Sequence, residues 1–496
     1  MPKQVELTLL IGDQSAERVD VAVVPYVMDG ADAVLASGMV RSMGDFEFPE
    51  RLVAEAIAPE RFAGKRGDRL VLRQEPGSTT VIAVGIGSND ASWADWATTI
   101  ATVVRDNAKR VVRIAIPGSA TAVEASAVGV LLGSYSFSKR RDEAQESGDV
   151  GLIMLDDSHA LSVAEEALVR GRAIADAVSQ ARDLVNEPPS TMTPTILAAA
   201  LAAQLEGARG VEVEIWDKAK IEHERLGGLL GVSRGSSQDP RLLIATYRPE
   251  AATDETPHVV LVGKGVTFDS GGLSLKTAAG MTTMKTDMTG AAVVVSALGA
   301  LDALGVRVKV TAIAPMTENM VNGSATKPGD VLVARNGLRM EVLNTDAEGR
   351  LILADALCLA EEMAPSTIVD IATLTGAASV ALGREIGAVL ARPRSLATQL
   401  IEAGAQSAEA LWELPLWEDY ESHIDSEIAD MKNIGSAGEA GTISAALFLG
   451  RFVRETNWAH LDIAGPGRSE KSAGLVTKGG TAFGLLTLLR YLRTLS

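Results

Sequence analysis

The segment Asn344-Thr-Asp-Ala-Glu-Gly-Arg350 sets two carboxylates, Asp346 and Glu348, two residues apart, with an arginine two further on. Short acidic side chains at a strand-to-helix junction can converge on a cation. An arginine behind them can hold an anion or developing negative charge without being a ligand. The competing reading is local: Asn or Asp near a helix start, with Glu in the first turn, caps the helix and offsets its dipole. Taken alone, the heptapeptide does not separate the two, because its acids lack partners.

Two earlier segments offer such partners. Val259-Val-Leu-Val262 reads as a near-continuous apolar strand running into Gly263-Lys-Gly-Val-Thr-Phe-Asp-Ser-Gly-Gly-Leu-Ser-Leu-Lys276. In open α/β sheets ligands sit outside the carboxyl ends of strands, where Lys264 and Asp269 fall. The Gly-x4-Gly-Lys-Ser/Thr pattern of a phosphate loop is absent. Met281 to Ala292 enters an apolar helix expected to continue to about Leu304, with Asp287 early in it between Met284 and Met288. A carboxylate in such company is buried only if paired or metal-bound, and is an ordinary solvated residue if it faces outward.

Lys264, Asp269, Asp287, Asp346 and Glu348 together have the charge to hold two divalent cations, roughly 3.5–4 Å apart in such sites. Such a pair can share a hydroxide and polarise a carbonyl or phosphoryl oxygen. A lysine ligand must be neutral against a reference pKa of about 10.4, a shift that coordination itself supplies. None of the five histidines lies between Val259 and Ser422, so oxygen ligands are favoured; Zn, Mn, Mg and Co all suit them to differing degrees.

The elements that must position these groups read as α/β throughout. Strands are expected over Val5–Leu10, Val19–Val24, Leu70–Arg73, Thr80–Val84, Arg110–Ile116 and Val150–Leu155, with helices over Pro49–Ala58, Trp93–Ala108 and Ala120–Leu132. This gives an amino-terminal α/β domain over 1–160. A connecting helix over 161–185 ends at Asn186-Glu-Pro-Pro189, where paired prolines stop it. A larger α/β catalytic domain over 186–496, with a mixed, largely parallel central sheet, follows. Its expected strands are Val211–Trp216, Arg241–Tyr247, His258–Val262, Val306–Ala314 and Thr367–Thr373, with a hairpin turning at Asn336-Gly337.

Composition sets the outer bounds. A chain of 496 residues favours two domains. With 47% hydrophobic and 22% charged residues and no apolar run of bilayer length, it has the make-up of a soluble globular protein with no membrane partner. The net charge of −18 argues against broad nucleic-acid binding. The first residues lack a basic segment followed by an apolar core. The single cysteine, Cys358, cannot form an internal disulfide and lies in an apolar stretch, as a small buried hydrophobe would; a cytoplasmic location is expected.

Val262-Gly-Lys-Gly-Val-Thr-Phe-Asp-Ser-Gly-Gly, Met284-Lys-Thr-Asp-Met-Thr-Gly-Ala-Ala and Asn344-Thr-Asp-Ala-Glu-Gly-Arg-Leu resemble the signatures of the leucyl aminopeptidase family, cytosolic dinuclear metallopeptidases. Asn186-Glu-Pro-Pro, Ala372-Thr-Leu-Thr-Gly376, Ala429-Asp-Met-Lys-Asn-Ile-Gly435 and His460-Leu-Asp-Ile-Ala-Gly465 support the match, which runs from about residue 165 to the end. The resemblance implies removal of an N-terminal residue, preferably leucine or another apolar or neutral one, from peptides with a free N-terminus. By it, Asp269 and Glu348 bridge two metals, most often Mn or Zn, Asp346 completes one site, and Lys264 with Asp287 completes the other. Lys276 polarises the scissile carbonyl, Arg350 holds a bicarbonate or equivalent base, and Met284, Thr373 and Ala464 line the side-chain pocket. It also implies a homo-oligomer, a hexamer. One departure is Ala482, where the family often has glycine, with an effect expected on helix packing. A nucleic-acid-binding regulator, a noncatalytic scaffold and a dinuclear phosphatase are the alternatives; acidity opposes the first, the full ligand set the second and the lysine ligand the third.

Overall fold

The computed structural model describes residues 6–11, 19–29, 32–35, 42–43, 46–52, 62–65, 68–73, 78–87, 91–108, 110–137, 149–154 and 158–496. It divides into two compact units, Met1–Ser179 with Lys471–Thr477, and Gln180–Glu470 with Lys478–Ser496. Among the described residues, the first unit holds an eight-stranded sheet. In it Glu6–Ile11, Asp149–Met154, Val111–Ala115 and Val21–Asp29 run parallel side by side. Helices Trp93–Asp106 and Ala120–Gly133 accompany it, the first opened by a capping box in which Ser92 and Asp95 satisfy each other's backbone amides. The expected helix over Pro49–Ala58 is not what forms at its start. Arg51–Leu52 pairs with Asp32–Leu35 as an antiparallel strand, so sheet pairing overrides the local helical pattern there. Residues 5, 53–58 and 155 of the expected elements lie outside the described residues.

The second unit is built on a nine-stranded sheet. Its strands are β1 (Val211–Trp216), β2 (Arg241–Tyr247), β3 (His258–Gly263), β4 (Gly265–Asp269), β5 (Lys309–Asn319), β6 (Thr367–Ala372), β7 (Ile386–Arg392), β8 (Ala410–Glu413) and β9 (Asn457–Asp462). Their order is β1-β2-β5-β3-β6-β9-β7-β8, with β4 alongside the end of β5. The middle four, β5, β3, β6 and β9, are mutually parallel, and the outer pairings β1–β2, β2–β5 and β7–β9 are antiparallel. This is the mixed sheet with a parallel centre expected from the sequence. Val259 to Val262 of β3 are wholly buried, as a strand covered on both faces must be. Along one edge β3, β6 and β9 end nearly level at Gly263, Ala372 and Asp462, and β5 runs on beside β4 to Asn319, which pairs with Asp269.

Three helices shape that edge: α1 (Thr289–Leu298), α2 (Gly349–Glu362) and α3 (Gly441–Gly450). Helix α1 reaches the sheet so closely that a β-carbon at Gly290 would lie 2.1 Å from the Ile371 carbonyl and 2.7 Å from the Lys264 nitrogen. Only glycine permits that approach, and the Ala291 amide then donates to the Lys264 carbonyl at 2.8 Å. The helix is shorter than its apolar run suggests, stopping at Leu298 in place of Leu304. Asp287 precedes it, at the end of the one-turn 3-10 helix Met284–Thr286. Strand β5 likewise starts at Lys309 and continues to Asn319, well past the expected end at Ala314. Ala482 is buried and has φ +56°, a left-handed backbone that glycine adopts without strain.

Helix α2 is tied down by a buried carboxylate. Asp355 accepts from the Leu229 amide and from the Arg335 amide, each at 2.9 Å. Replacing Asp355 with alanine leaves both donors without their acceptor, and is expected to cost about 2–4 kcal/mol of stability. A thermal unfolding midpoint equal to that of the wild type would contradict this.

Candidate metal centre

The five candidate ligands arrive from four places along the same edge. Lys264 follows β3, Asp269 ends β4, Asp287 follows the 3-10 turn before α1, and Asp346 and Glu348 immediately precede α2. Lys264 Nζ lies 2.8 Å from Asp287 Oδ1, 2.7 Å from Asp287 Oδ2 and 2.8 Å from Glu348 Oε1. Lys276 Nζ lies 2.7 Å from Asp269 Oδ2 and 2.5 Å from Asp346 Oδ1. One oxygen from each of Asp269, Asp346 and Glu348 falls within 4.8 Å of the others. Helix α2 sits against the lysine: a β-carbon at Gly349 would meet Lys264 Nζ at 2.8 Å. A side chain in place of the glycine of Asp-Ala-Glu-Gly-Arg would displace the end of Lys264.

The capping account of this heptapeptide fails for Glu348. It stands at the N-cap of α2 with helical backbone angles, and its side chain makes no capping bond. The Asn344 side chain does accept from the Asp346 amide at 2.9 Å, a turn that aims the following acids inward.

The electrostatics show a cluster short of positive charge. Burial raises the pKa values of Asp287, Asp346 and Glu348, and the nearby Asp269 charge raises them further. Burial works to lower Lys264, but Asp287, Glu348 and Asp269 outweigh it and hold the ammonium above its ordinary value. Lys276 behaves alike, with Asp269 as its strongest opposing charge. Glu348 Oε2 is buried and has no hydrogen-bond partner. Divalent cations fit this donor set: clustered carboxylates, a buried oxygen left over, and one amine that a cation can deprotonate.

Arg350, in the first turn of α2, is buried; burial lowers its pKa, and Glu348 and Asp462 are the charges acting against that. Its Nε has no hydrogen-bond partner. Of the expected pocket residues, Thr373 follows β6 and Ala464 follows β9, neighbouring strands in which Ala372 pairs with Asp462. Met284 lies three residues before Asp287, whose amide donates to its carbonyl at 3.4 Å.

Three supporting residues receive no role from the sequence: Asn319 lies in none of the motifs, and Asn433 and Asp462 lie in motifs that only support the resemblance. Asn319, at the end of β5, donates to Asp269 Oδ1 at 2.8 Å and to the Thr345 carbonyl at 3.0 Å, while the Gly271 amide also donates to Asp269 Oδ1. Asn433 donates to the Asn344 carbonyl at 2.7 Å and accepts from the Leu343 amide at 2.9 Å. The wholly buried Asp462 accepts from the Leu374, Thr375 and Ala464 amides and from the Thr375 hydroxyl. The usable signal for Asn319 and Asp462 was position, since both are polar residues closing buried parallel strands.

The chain is similar to known proteins along most of its length. Residues 179–489 match the family model described as "Cytosol aminopeptidase family, catalytic domain". Residues 45–144 match the model for the same family's N-terminal domain. A probable cytosol aminopeptidase of Gloeobacter violaceus is 38% identical over 499 residues, covering 96% of this chain and 97% of the relative. That of Syntrophotalea carbinolica is 40% identical, covering 88% and 90%. Among solved structures, the bottromycin maturation enzyme BotP in complex with Mn superposes with a TM-score of 0.81 at 33% identity, covering 96% of this chain and 100% of BotP. The cytosol aminopeptidase of Coxiella burnetii gives 0.78 at 28% identity, covering 98% and 99%.

Proposed function

This chain belongs to the cytosol aminopeptidase family, and on that premise we propose that it is a leucyl aminopeptidase using two divalent cations. The family makes it a metal-dependent aminopeptidase, a hydrolase acting on peptides. The two-cation reading is supported above all by the convergence of Lys264, Asp269, Asp287, Asp346 and Glu348, with one Glu348 oxygen buried and unpartnered; the preference for leucine and other apolar or neutral residues rests on the family resemblance.

In this reading Asp269 and Glu348 would be shared by the two cations, Asp346 would help to hold one, and Lys264 with Asp287 would help to hold the other. When bound, the cations supply an activated water and Lewis acidity toward the scissile carbonyl. Lys264 ligates only as the neutral amine, and its burial favours that form once the carboxylates are engaged elsewhere. Lys276, released from Asp269 and Asp346, turns its ammonium to the carbonyl oxygen. Arg350, with its buried and unpartnered Nε, holds bicarbonate or an equivalent base that accepts the proton from the attacking water. The free amine of the substrate binds beside Lys264, which limits cleavage to one residue at a time. Met284, Thr373 and Ala464 wall the pocket for its side chain. Mn or Zn are the expected metals, with Mg or Co also suited to the ligands; a homohexamer in the cytoplasm is the expected form. Among the described residues no helix is long and apolar enough to cross a membrane.

Because Arg350 is assigned no metal, Arg350→Ala is expected to keep both cations while lowering kcat by about a hundredfold, the lower end of what proton-transfer groups contribute. Metal analysis beside steady-state kinetics checks this. Loss of metal in the variant would make Arg350 structural.

A further inference from the structure

Thr373 touches both residues assigned to one cation. Its hydroxyl donates to Asp287 Oδ1 at 2.7 Å, and its carbonyl accepts from Lys264 Nζ at 3.2 Å. The methyl group of the same side chain packs elsewhere, against Gly467, where a β-carbon would come within 3.0 Å of Thr373 Cγ2. A β-branched side chain is stiff about χ1, so the two contacts fix each other. We propose that Thr373 is a positioning residue for the cation held by Lys264 and Asp287, in addition to walling the side-chain pocket. Its hydroxyl occupies Oδ1 and sets the plane of the carboxylate; both oxygens face Lys264 Nζ, Oδ1 at 2.8 Å and Oδ2 at 2.7 Å, and Oδ2 would be the one left to hold a cation. Hydrogen bonds to a ligating carboxylate orient it and are worth about 10- to 100-fold in metal affinity. Asp269 has a corresponding arrangement, with Oδ1 taken by Asn319 and the Gly271 amide, so each position is served by a carboxylate with one committed oxygen.

The inference rests on the two-metal reading, and the test separates them. Thr373→Val keeps the size of the side chain and removes the donor; Thr373→Ser keeps the donor and removes the methyl. The three proteins, wild type and both variants, are dialysed against stepped Mn2+ and analysed for bound metal, with thermal unfolding to establish that each is folded. Thr373→Val is expected to bind one of its two Mn2+ ions about 10- to 100-fold more weakly, while Thr373→Ser keeps the wild-type affinity and shifts KM for leucine amide. Wild-type Mn2+ affinity in Thr373→Val, or equal losses in both variants, would overturn the assignment, since the effect would then not follow the hydroxyl. Asp287→Ala, measured alongside, is expected to lose one ion. If it still binds two at wild-type affinity, Asp287 is not a ligand and the role given to Thr373 falls with it; if the wild type itself binds fewer than two ions, the two-metal reading fails, whatever the threonine variants do.

Discussion

Replacing Glu348 with alanine is expected to lower hydrolysis of a leucyl chromogenic amide by roughly a thousandfold or more, equivalent to at least about 4 kcal/mol of transition-state stabilisation. The reason is its place in the cluster. Oε1 faces Lys264 at 2.8 Å, Oε2 is buried without a partner, and the side chain stands between the Lys264–Asp287 group and the Asp269–Asp346 group. Its removal takes a ligand from both positions at once and leaves Lys264 without one of its two paired carboxylates. Metal content should fall with activity, and Asp269→Ala should behave alike. Either variant keeping activity with its full metal content would refute the bridging assignment.

Acetylating the substrate's amino terminus is expected to abolish cleavage. An acetylated nitrogen has its lone pair delocalised into the amide and cannot bind a cation as the free amine would. Leucine amide and N-acetylleucine amide differ only at that nitrogen. Comparing their kcat/KM isolates the contribution of amine anchoring, and equal values would contradict it.

The candidate ligands were legible because their chemistry is local: Lys264 and Asp269 flank a glycine-rich strand end, and Asp346 and Glu348 sit two residues apart before an apolar helix. Their partners were not legible. Asn319 meets Asp269 only because β5 runs five residues beyond its expected end, and Thr373 meets Asp287 across the approach of α1 to β6 that Gly290 allows. Such contacts depend on sheet register and on helix-to-sheet distance, which periodicity does not encode. Asp287 illustrates the same limit. Its place among methionines suggested a helix, yet it closes a 3-10 turn that breaks before α1 begins, and that break is what leaves its carboxylate free to face Lys264. In the first unit, Arg51–Leu52 joined a sheet edge despite a helical pattern, because its pairing partners, Val34 and Ala33, lie outside the window in which helical periodicity is read.

The central claim is that two cations held by these five residues activate water against an amine-anchored peptide. Its most direct measurement is metal analysis of the purified protein, loaded with Mn2+ or Zn2+ and then stripped by chelation, with leucine amide and N-acetylleucine amide turnover followed at each step. The account predicts two ions per chain when active, loss of leucine amide hydrolysis as they are removed, recovery on their return, and no turnover of the acetylated compound at any stage. Full activity in the stripped protein, or turnover of the acetylated amide, would contradict it.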